Sequence, residues 1–553
     1  MHIKTIIFVG IFFIFLGLLA NPLTVNYLFQ YATEYFNRDV ESPTTIQIIS
    51  VEIVLGLFGL FFIFKNLEVG LFFQDLEQLL SGRRISFRKQ NIILVVLIIL
   101  INFIYFISSA YIASSNDGSH FALVSALVEE RSVKINNFLK YTLRVDYAYK
   151  DGEYYSDRIP GTAFLSIPFY IFGKLLQQIG FSNYLSSHPN IKEIFVVFLP
   201  NIAGTVILLV MFKLFRFFKF DFRTSLLSSL IFALSTLIWL ESARLFSHAI
   251  SAMIVLLAVY LALRINNFQD RKKIILIFLF LALASIVEIQ NIVFVPIFFI
   301  YFLISKKLKI TDVLQKEVAI TIVLAAVTFI VIYSALIIYN FVAFGEIIIN
   351  SSQYNSYTPC SKAGLSGNIL YGLDRLFTNF SNSEVIYNWF AATKNFTPGL
   401  FVVSPILVVS LIGFYYFFKA HRNETLFFLL LIASQVAIVA SYKCLVLTRY
   451  ATTISPYLFL PAAYIIDKLL KSLKKKQLSK YFLFYLVLGL VLISIARVYF
   501  ILSTSWGRRL LMPFRFIIEL PCYFLFYGVL FLICAFLKRA GIIKKSFLQN
   551  LFK

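Results

Sequence analysis

Carboxylates and cations recur in this sequence where an otherwise apolar chain is interrupted. Asp117 and His120 come first, followed by Asp146, Asp151, Glu153 and the adjacent pair Asp157 and Arg158. Glu241, Arg244 and His248 form the next group, Glu288, Gln290 and Asn291 another, and Lys443, Arg449 and Tyr450 a later one. A carboxylate can act as general base on a hydroxyl, and an arginine or lysine can stabilise a departing phosphate. The set therefore fits transfer from a lipid phosphate donor. Plainer readings stand beside this one: Asp117-Gly118 is also a turn dipeptide, Arg158 and Arg449 can be interfacial anchors, and His248 can be a packing residue. Other chemistries lack their residues. No GxxxxGK[ST] phosphate loop, HExxH helix, paired CxxC or GxSxG elbow occurs, and five His and four Cys argue against a dedicated metal centre.

The elements that must position these groups are membrane helices. The chain has 553 residues, is 60% hydrophobic and only 14% charged, and carries a formal net charge of +23, whereas a soluble domain has about 25% charged residues. At about 20 residues per crossing, spans are expected near 6–22, 48–64, 92–113, 191–212, 225–240, 245–263 and 274–287. Seven more are expected near 292–304, 319–341, 398–418, 425–441, 450–467, 481–500 and 517–537. Glu288, Gln290 and Asn291, with Pro296 beyond, divide 274–304 into two helices. The first span reads as a retained helix because no A-x-A cleavage site follows it.

The basic connections KLFRFFKFDFR, RINNFQDRKK, SKKLKITDVLQKE and DKLLKSLKKKQLSK place that side in the cytoplasm by the positive-inside rule. Both termini then fall on the cytoplasmic side, and the carboxylate groups on the outer face of the plasma membrane. Two outer loops, 114–190 and 346–397, are too long for simple turns. They are expected to carry short amphipathic helices, one of them along 164–179. The expected fold is an all-α polytopic membrane protein of about 14 helices. Its parts are a two-helix extension (1–91), a core (92–345), the second loop (346–397) and C-terminal helices (398–553). Cys360 and Cys444, both in outer loops, are a candidate disulfide.

Several stretches resemble the GT-C superfamily of polytopic glycosyltransferases. SSNDGSHFALVSALVEERSVKIN follows a span as that family's acidic first loop does, and DGEYYSDRIPGTAFLSIPFY is similar to its Y-S-x-x-x-P-G … P-x-Y stretch. ARLFSHAISAMIVLLAVYLALR resembles the F-S-H-x-x-x-A helix, YNFVAFGEIIINSSQY the Y-N-x-x-x-F-G … Y stretch, and LTRYATTISPYLFLP the P-R-Y-x-x-x-x-x-P stretch. The resemblance runs from about 92 to 460 and implies a GT-C-type fold with the spans from 92 to 341 as its core. It also implies a polyprenyl- or dolichyl-phosphate sugar donor and a lipid, glycan or protein acceptor.

Carried over, it makes Asp117 the candidate general base and gives Asp157 and Arg158 the roles of the E-K-P-P stretch of aminoarabinose transferases. His120, Arg244, His248, Glu288, Arg449 and Tyr450 are candidate substrate- or phosphate-binding residues. No cofactor is obligatory for such a donor, and a divalent cation is admissible. Two departures stand out: Asp117-Gly118 replaces the Asp-Glu of protein mannosyltransferases, and the WWDYG of oligosaccharyltransferases is absent. A transporter or lipid flippase using the same charged groups is the alternative function, although no inverted repeat is evident. A non-catalytic scaffold is a third.

Overall fold

In a computed structural model of the chain, the described residues are 86–178, 190–347, 351–355, 367–379, 399–442 and 448–506, apart from 110, 269, 306, 309, 310, 312–314 and 474–477. Residues 522, 523, 525–530 and 533 are also described. The expected spans 6–22 and 48–64, most of 517–537, and Cys360, Lys443 and Cys444 lie outside them. The chain divides into two compact units, residues 1–99 with 508–553, and residues 100–507. Every candidate site residue that is described belongs to the second.

Helix α1 (Phe87–Ile107) ends at a short connection whose Ser114 caps α2 (Ser115–Ser125). A π turn (Ala126–Glu130) and a 3-10 turn (Asn136–Thr142) lead to strands β1 (Ala148–Lys150) and β2 (Glu153–Tyr155), then to α3 (Gly161–Gln178). There follow α4 (Ile191–Val196), α5 (Phe198–Phe217), α6 (Phe222–Ser235), α7 (Leu237–Ser242), α8 (Ser247–Leu263), α9 (Arg271–Val287) and α10 (Phe294–Ile304). The rest comprises α11 (Lys316–Phe344), α12 (Ile369–Phe377), α13 (Leu400–Val403), α14 (Val409–Ala420), α15 (Arg422–Ala440), α16 (Ser455–Leu473) and α17 (Leu478–Trp506).

Among the described residues, four helical runs are long and apolar enough to cross a membrane: Phe87–Ile107, Ile191–Phe217, Lys316–Phe344 and Arg422–Ala440. Shorter apolar helices lie between them. Helix α11 shows how the environment sets composition. Val323, Val327, Ile330, Val331, Ile338 and Phe341 are all more than half exposed or nearly so, an outward apolar surface of the kind lipid accommodates. Buried amides and hydroxyls bind across the helices, as expected where apolar contact alone gives little specificity. Asn102 donates to Thr205 Oγ1 at 2.8 Å, and Asn201 donates to Ser109 Oγ at 3.1 Å and to the Ser242 carbonyl at 2.6 Å.

Two local features depart from the expected spans, and a third, the division of 274–304, matches them. The run 225–240 is not one helix, because Thr236 is extended and separates α6 from α7. Ser235 and Thr236 spend their hydroxyls on the carbonyls of Ile231 and Phe232, a back-bonding pattern that bends helices. The run 274–304 breaks at Glu288, which is extended, before a 3-10 turn (Ile289–Val293) leads into α10. The run 450–467 starts as a 3-10 turn (Thr448–Ala451), so Arg449 and Tyr450 precede α16.

The long first loop is folded, and it adds a hairpin to the expected all-α architecture. Ala148 pairs with Tyr155, Tyr149 with Tyr154 and Lys150 with Glu153, around Asp151 and Gly152, both at positive φ. That conformation suits an Asp-Gly hairpin turn. Phe121, Leu123, Tyr155, Tyr170 and Leu245 pack with Tyr339 and Phe344 into one apolar cluster. The loop is thereby fixed to the end of α11.

Candidate functional site

Asp117 is the third residue of α2, and its side chain turns back over the helix start. Oδ1 accepts from the Ser114 N–H (2.7 Å), the Ser114 hydroxyl (2.7 Å) and the Gly118 N–H (3.0 Å), and Oδ2 accepts from the Ala113 N–H (3.0 Å). These bonds satisfy donors that every helix N-terminus leaves open. They also fix the carboxylate and leave acceptor capacity on Oδ2. Burial pushes its pKa above the ordinary value, outweighing the opposing bonds and the Arg244 charge.

Gly118 explains the departure from Asp-Glu. A Cβ there would lie 1.8 Å from the Tyr141 carbonyl oxygen, so the 3-10 turn at 136–142 packs where a side chain would be. His120, one turn after Asp117, is 2% exposed. Burial, then the Arg158 and His248 charges, hold its pKa down at about 3, so the imidazole is neutral.

Asp157 and Arg158 lie between β2 and α3. Asp157 accepts from Ser119 Oγ (3.1 Å) and from Asn355 Nδ2 (3.0 Å), which joins both long loops at one carboxylate. Its pKa is raised by burial, against the Arg158 charge, with Asp146 adding to the rise. Arg158 places Nη2 2.6 Å from Asp146 and Nε 3.4 Å from Asp157. Burial opposes its charge, but these two carboxylates outweigh burial and raise its pKa. Gly161 sets this segment close to α9: a Cβ would stand 2.2 Å from the Ile286 carbonyl oxygen.

A second group is built from α8, the break after α9 and the turn before α16. His248 Nδ1 bonds Glu288 Oε1, which also accepts from Ser247 Oγ at 2.8 Å. Burial alone would raise the Glu288 pKa, but the His248 charge and these bonds lower it. Asn291 donates to Ser251 Oγ (2.8 Å) and to the Ala284 carbonyl (2.9 Å), bracing the break. The Tyr450 ring stands edge-on to His248, with centroids 5.2 Å apart. Phe246 carries two guanidinium groups, Arg449 at 5.0 Å and Arg244 at 5.5 Å from its centroid. Burial and the Arg449 charge lower the Arg244 pKa to about 10, against the Glu241 and Asp117 charges.

The two groups are neighbours. Arg158 is acted on by Tyr450, His120 by both Arg158 and His248, and Arg244 by Glu241, Arg449 and Asp117. All nine candidate residues thus stand in one charged neighbourhood where helices α1, α7, α9, α11 and α15 end. The sequence reading did not pick out Ser119, Asn355 or Ser247 as site residues. Ser247 sits inside the quoted FSH motif and Asn355 follows the last Tyr of another, which is the signal available for them. Among the described residues, no group of three or more His, Cys, Asp or Glu is placed to hold a metal ion.

No protein-family description matches the chain, and no curated protein matches it. Solved structures similar to it include ArnT from Cupriavidus metallidurans bound to undecaprenyl phosphate, with 12% identity and a TM-score of 0.46, covering 78% of each chain. The archaeal oligosaccharyltransferase AglB from Archaeoglobus fulgidus, in complex with an inhibitory peptide and a dolichol-phosphate, is similar with 13% identity and a TM-score of 0.46. That match covers 75% of this chain and 56% of AglB. Both are GT-C membrane glycosyltransferases.

Proposed function

We propose that this chain is an inverting membrane glycosyltransferase that moves a sugar from a polyprenyl-phosphate carrier to a lipid, glycan or protein acceptor. The proposed setting is the outer face of the plasma membrane, in a chain of about 14 crossings with both termini cytoplasmic. The observation that carries this reading is the convergence of two buried carboxylates, Asp117 and Asp157, with the guanidinium groups of Arg158, Arg244 and Arg449. Separate helix ends deliver these groups to one place. A carboxylate acting on a hydroxyl and cations meeting a phosphate are what such a transfer needs.

In the proposed step, the acceptor oxygen attacks the anomeric carbon as its proton passes to Asp117 Oδ2. The bond from that carbon to the phosphate oxygen breaks, and the electron pair leaves with the lipid phosphate. Arg158 pairs through Nη2 with Asp146 at 2.6 Å, while its Nε, 3.4 Å from Asp157, makes no hydrogen bond among the described residues; Nη1 is the nitrogen proposed for the phosphate. Arg449 makes no ion pair among the described residues and is the second cation. Asp157 orients Arg158, while His248, Glu288 and Tyr450 support the side of the site that carries Arg449. The donor is a monophosphate and the cations are supplied by arginine, so no cofactor is obligatory, and a divalent cation is accessory. Chelator is expected to leave transfer within about twofold, a margin far smaller than the loss of a catalytic metal would cause.

The experiment is mass spectrometry of lipids copurifying with wild type and Asp117→Asn, paired with a transfer assay. Sugar-bearing polyprenyl phosphate enriched on an inactive variant supports the reading. Absence of such lipid from both preparations, or wild-type transfer by the variant, removes it or removes Asp117 from the chemistry respectively.

A further inference from the structure

Glu241, near the end of α7, is a buried carboxylate that the proposed step does not use. It is 3% exposed, and among the described residues its Oε2 has no hydrogen-bond partner. A buried carboxylate oxygen left without a donor is costly relative to a paired one. The charge nearest in effect is Arg244, the same arginine that interacts with Asp117 and Arg449. A second buried polar atom, Nδ1 of His120, also has no partner among the described residues. His120 follows Asp117 by one helical turn, so both occupy the same face of α2.

The Glu241 oxygen calls for a hydrogen-bond donor from a bound molecule, and Nδ1 of His120, which donates or accepts according to its tautomer, for a partner beside it. The arginines serve the phosphate and Asp117 must face the hydroxyl attacking the anomeric carbon, so the sugar lies between them. A carboxylate oxygen beside that place repels phosphate and carboxylate and accepts from hydroxyl or ammonium. His120, neutral by burial, tolerates either without adding charge.

We infer that Glu241 reads the transferred sugar, its Oε2 accepting a hydrogen from a sugar hydroxyl or amino group, with His120 beside it. The substrate class is a neutral or amino sugar, not a uronic acid. This inference rests on the transferase reading and goes beyond it to the identity of the sugar.

The test uses the purified full chain and Glu241→Gln, which keeps shape and removes charge, with Glu241→Met as a second variant lacking the polar oxygen. Melting temperature is recorded without lipid, with undecaprenyl phosphate, and with undecaprenyl phosphate linked to glucose, mannose, an aminopentose or glucuronic acid. The expected variants melt at or above wild type without lipid and bind the bare lipid as wild type does. They lose the extra stabilisation that a neutral or amino sugar gives wild type, a weakening of about tenfold or more. Two results overturn the inference alone: variants that keep that extra stabilisation, or a wild type that gains most from glucuronic acid. A wild type stabilised by none of the lipids overturns the transferase reading and this inference with it.

Discussion

Three donors converge on Oδ1 of Asp117 and one on Oδ2, so an amide at this position must turn its NH2 toward backbone N–H. Asp117→Asn is expected to abolish transfer and also to cost about 1–2 kcal/mol of stability, the value of a helix cap. A melting curve beside the transfer assay separates the two losses. The pH dependence has a fixed sign. Asp117 and Asp157, both raised above 3.8, bind protons more tightly when folded. Their contribution to stability is full below that value and fades as pH rises through the raised one. Wild type should therefore lose melting temperature relative to Asp117→Asn across that window, while kcat/KM rises over it as the base ionises. His120→Gln should leave this acid limb in place, because His120 is already neutral there.

The Glu288–His248 pair makes a separate prediction. Breaking a buried pair strands its partner at a cost of about 3–5 kcal/mol, so Glu288→Leu should lower the melting temperature more than the Glu288→Leu/His248→Leu double change does. At this scale motif order and residue type are what singled out the nine candidates, and the structure adds which groups stand beside each of them. Ser119 and Asn355 lie in or beside quoted motifs, but their bonds to Asp157, like the orphan oxygen of Glu241, depend on contacts between distant segments.

Helix and turn boundaries follow from short-range chemistry that composition windows average away. The break at Thr236 coincides with two hydroxyls bonding back to carbonyls, and the stretch around it is as apolar as an intact span. The β1–β2 hairpin had a readable signal, Asp151-Gly152 flanked by YAYK and EYY, which the membrane pattern overshadowed. By contrast, the break at Glu288 was legible because three polar residues interrupt an apolar run. Packing between elements makes the sharpest prediction at this scale. Gly118→Ala places a methyl group 1.8 Å from the Tyr141 carbonyl oxygen, which is backbone and cannot rotate away. The expected loss is at least about 1–3 kcal/mol, the cost of overpacking, read as a lower melting temperature and reduced yield. Gly152→Ala meets no atom within 4 Å, so its cost is limited to the strain of φ +84, and it should fold.

At the scale of the whole molecule, charge and packing mark two ends of the second unit. Lys307 donates to the Ala262 and Leu263 carbonyls, and Arg271 pairs with Glu317 at 2.6 Å. Phe218 stacks edge-on to His421 at 4.9 Å. The connections after α8 and α10 therefore meet, as do those after α5 and α14, and three of these four are among the basic ones. The site occupies the alternate connections, after α1, α7, α9, α11 and α15. Long apolar runs made the four longest helical runs legible, but only the contacts show which connections share an end.

The positive-inside rule then predicts the proposed orientation, because loops rich in Lys and Arg are retained in the cytoplasm. In a background lacking the four native cysteines, Tyr149→Cys in β1 and Leu370→Cys in α12, 45% and 77% exposed, should react with a membrane-impermeant maleimide on intact cells. Phe217→Cys at the end of α5, 39% exposed, should react only after permeabilisation. The reverse pattern would put the carboxylate site in the cytoplasm, where the outer-face donor of the proposed reaction could not reach it.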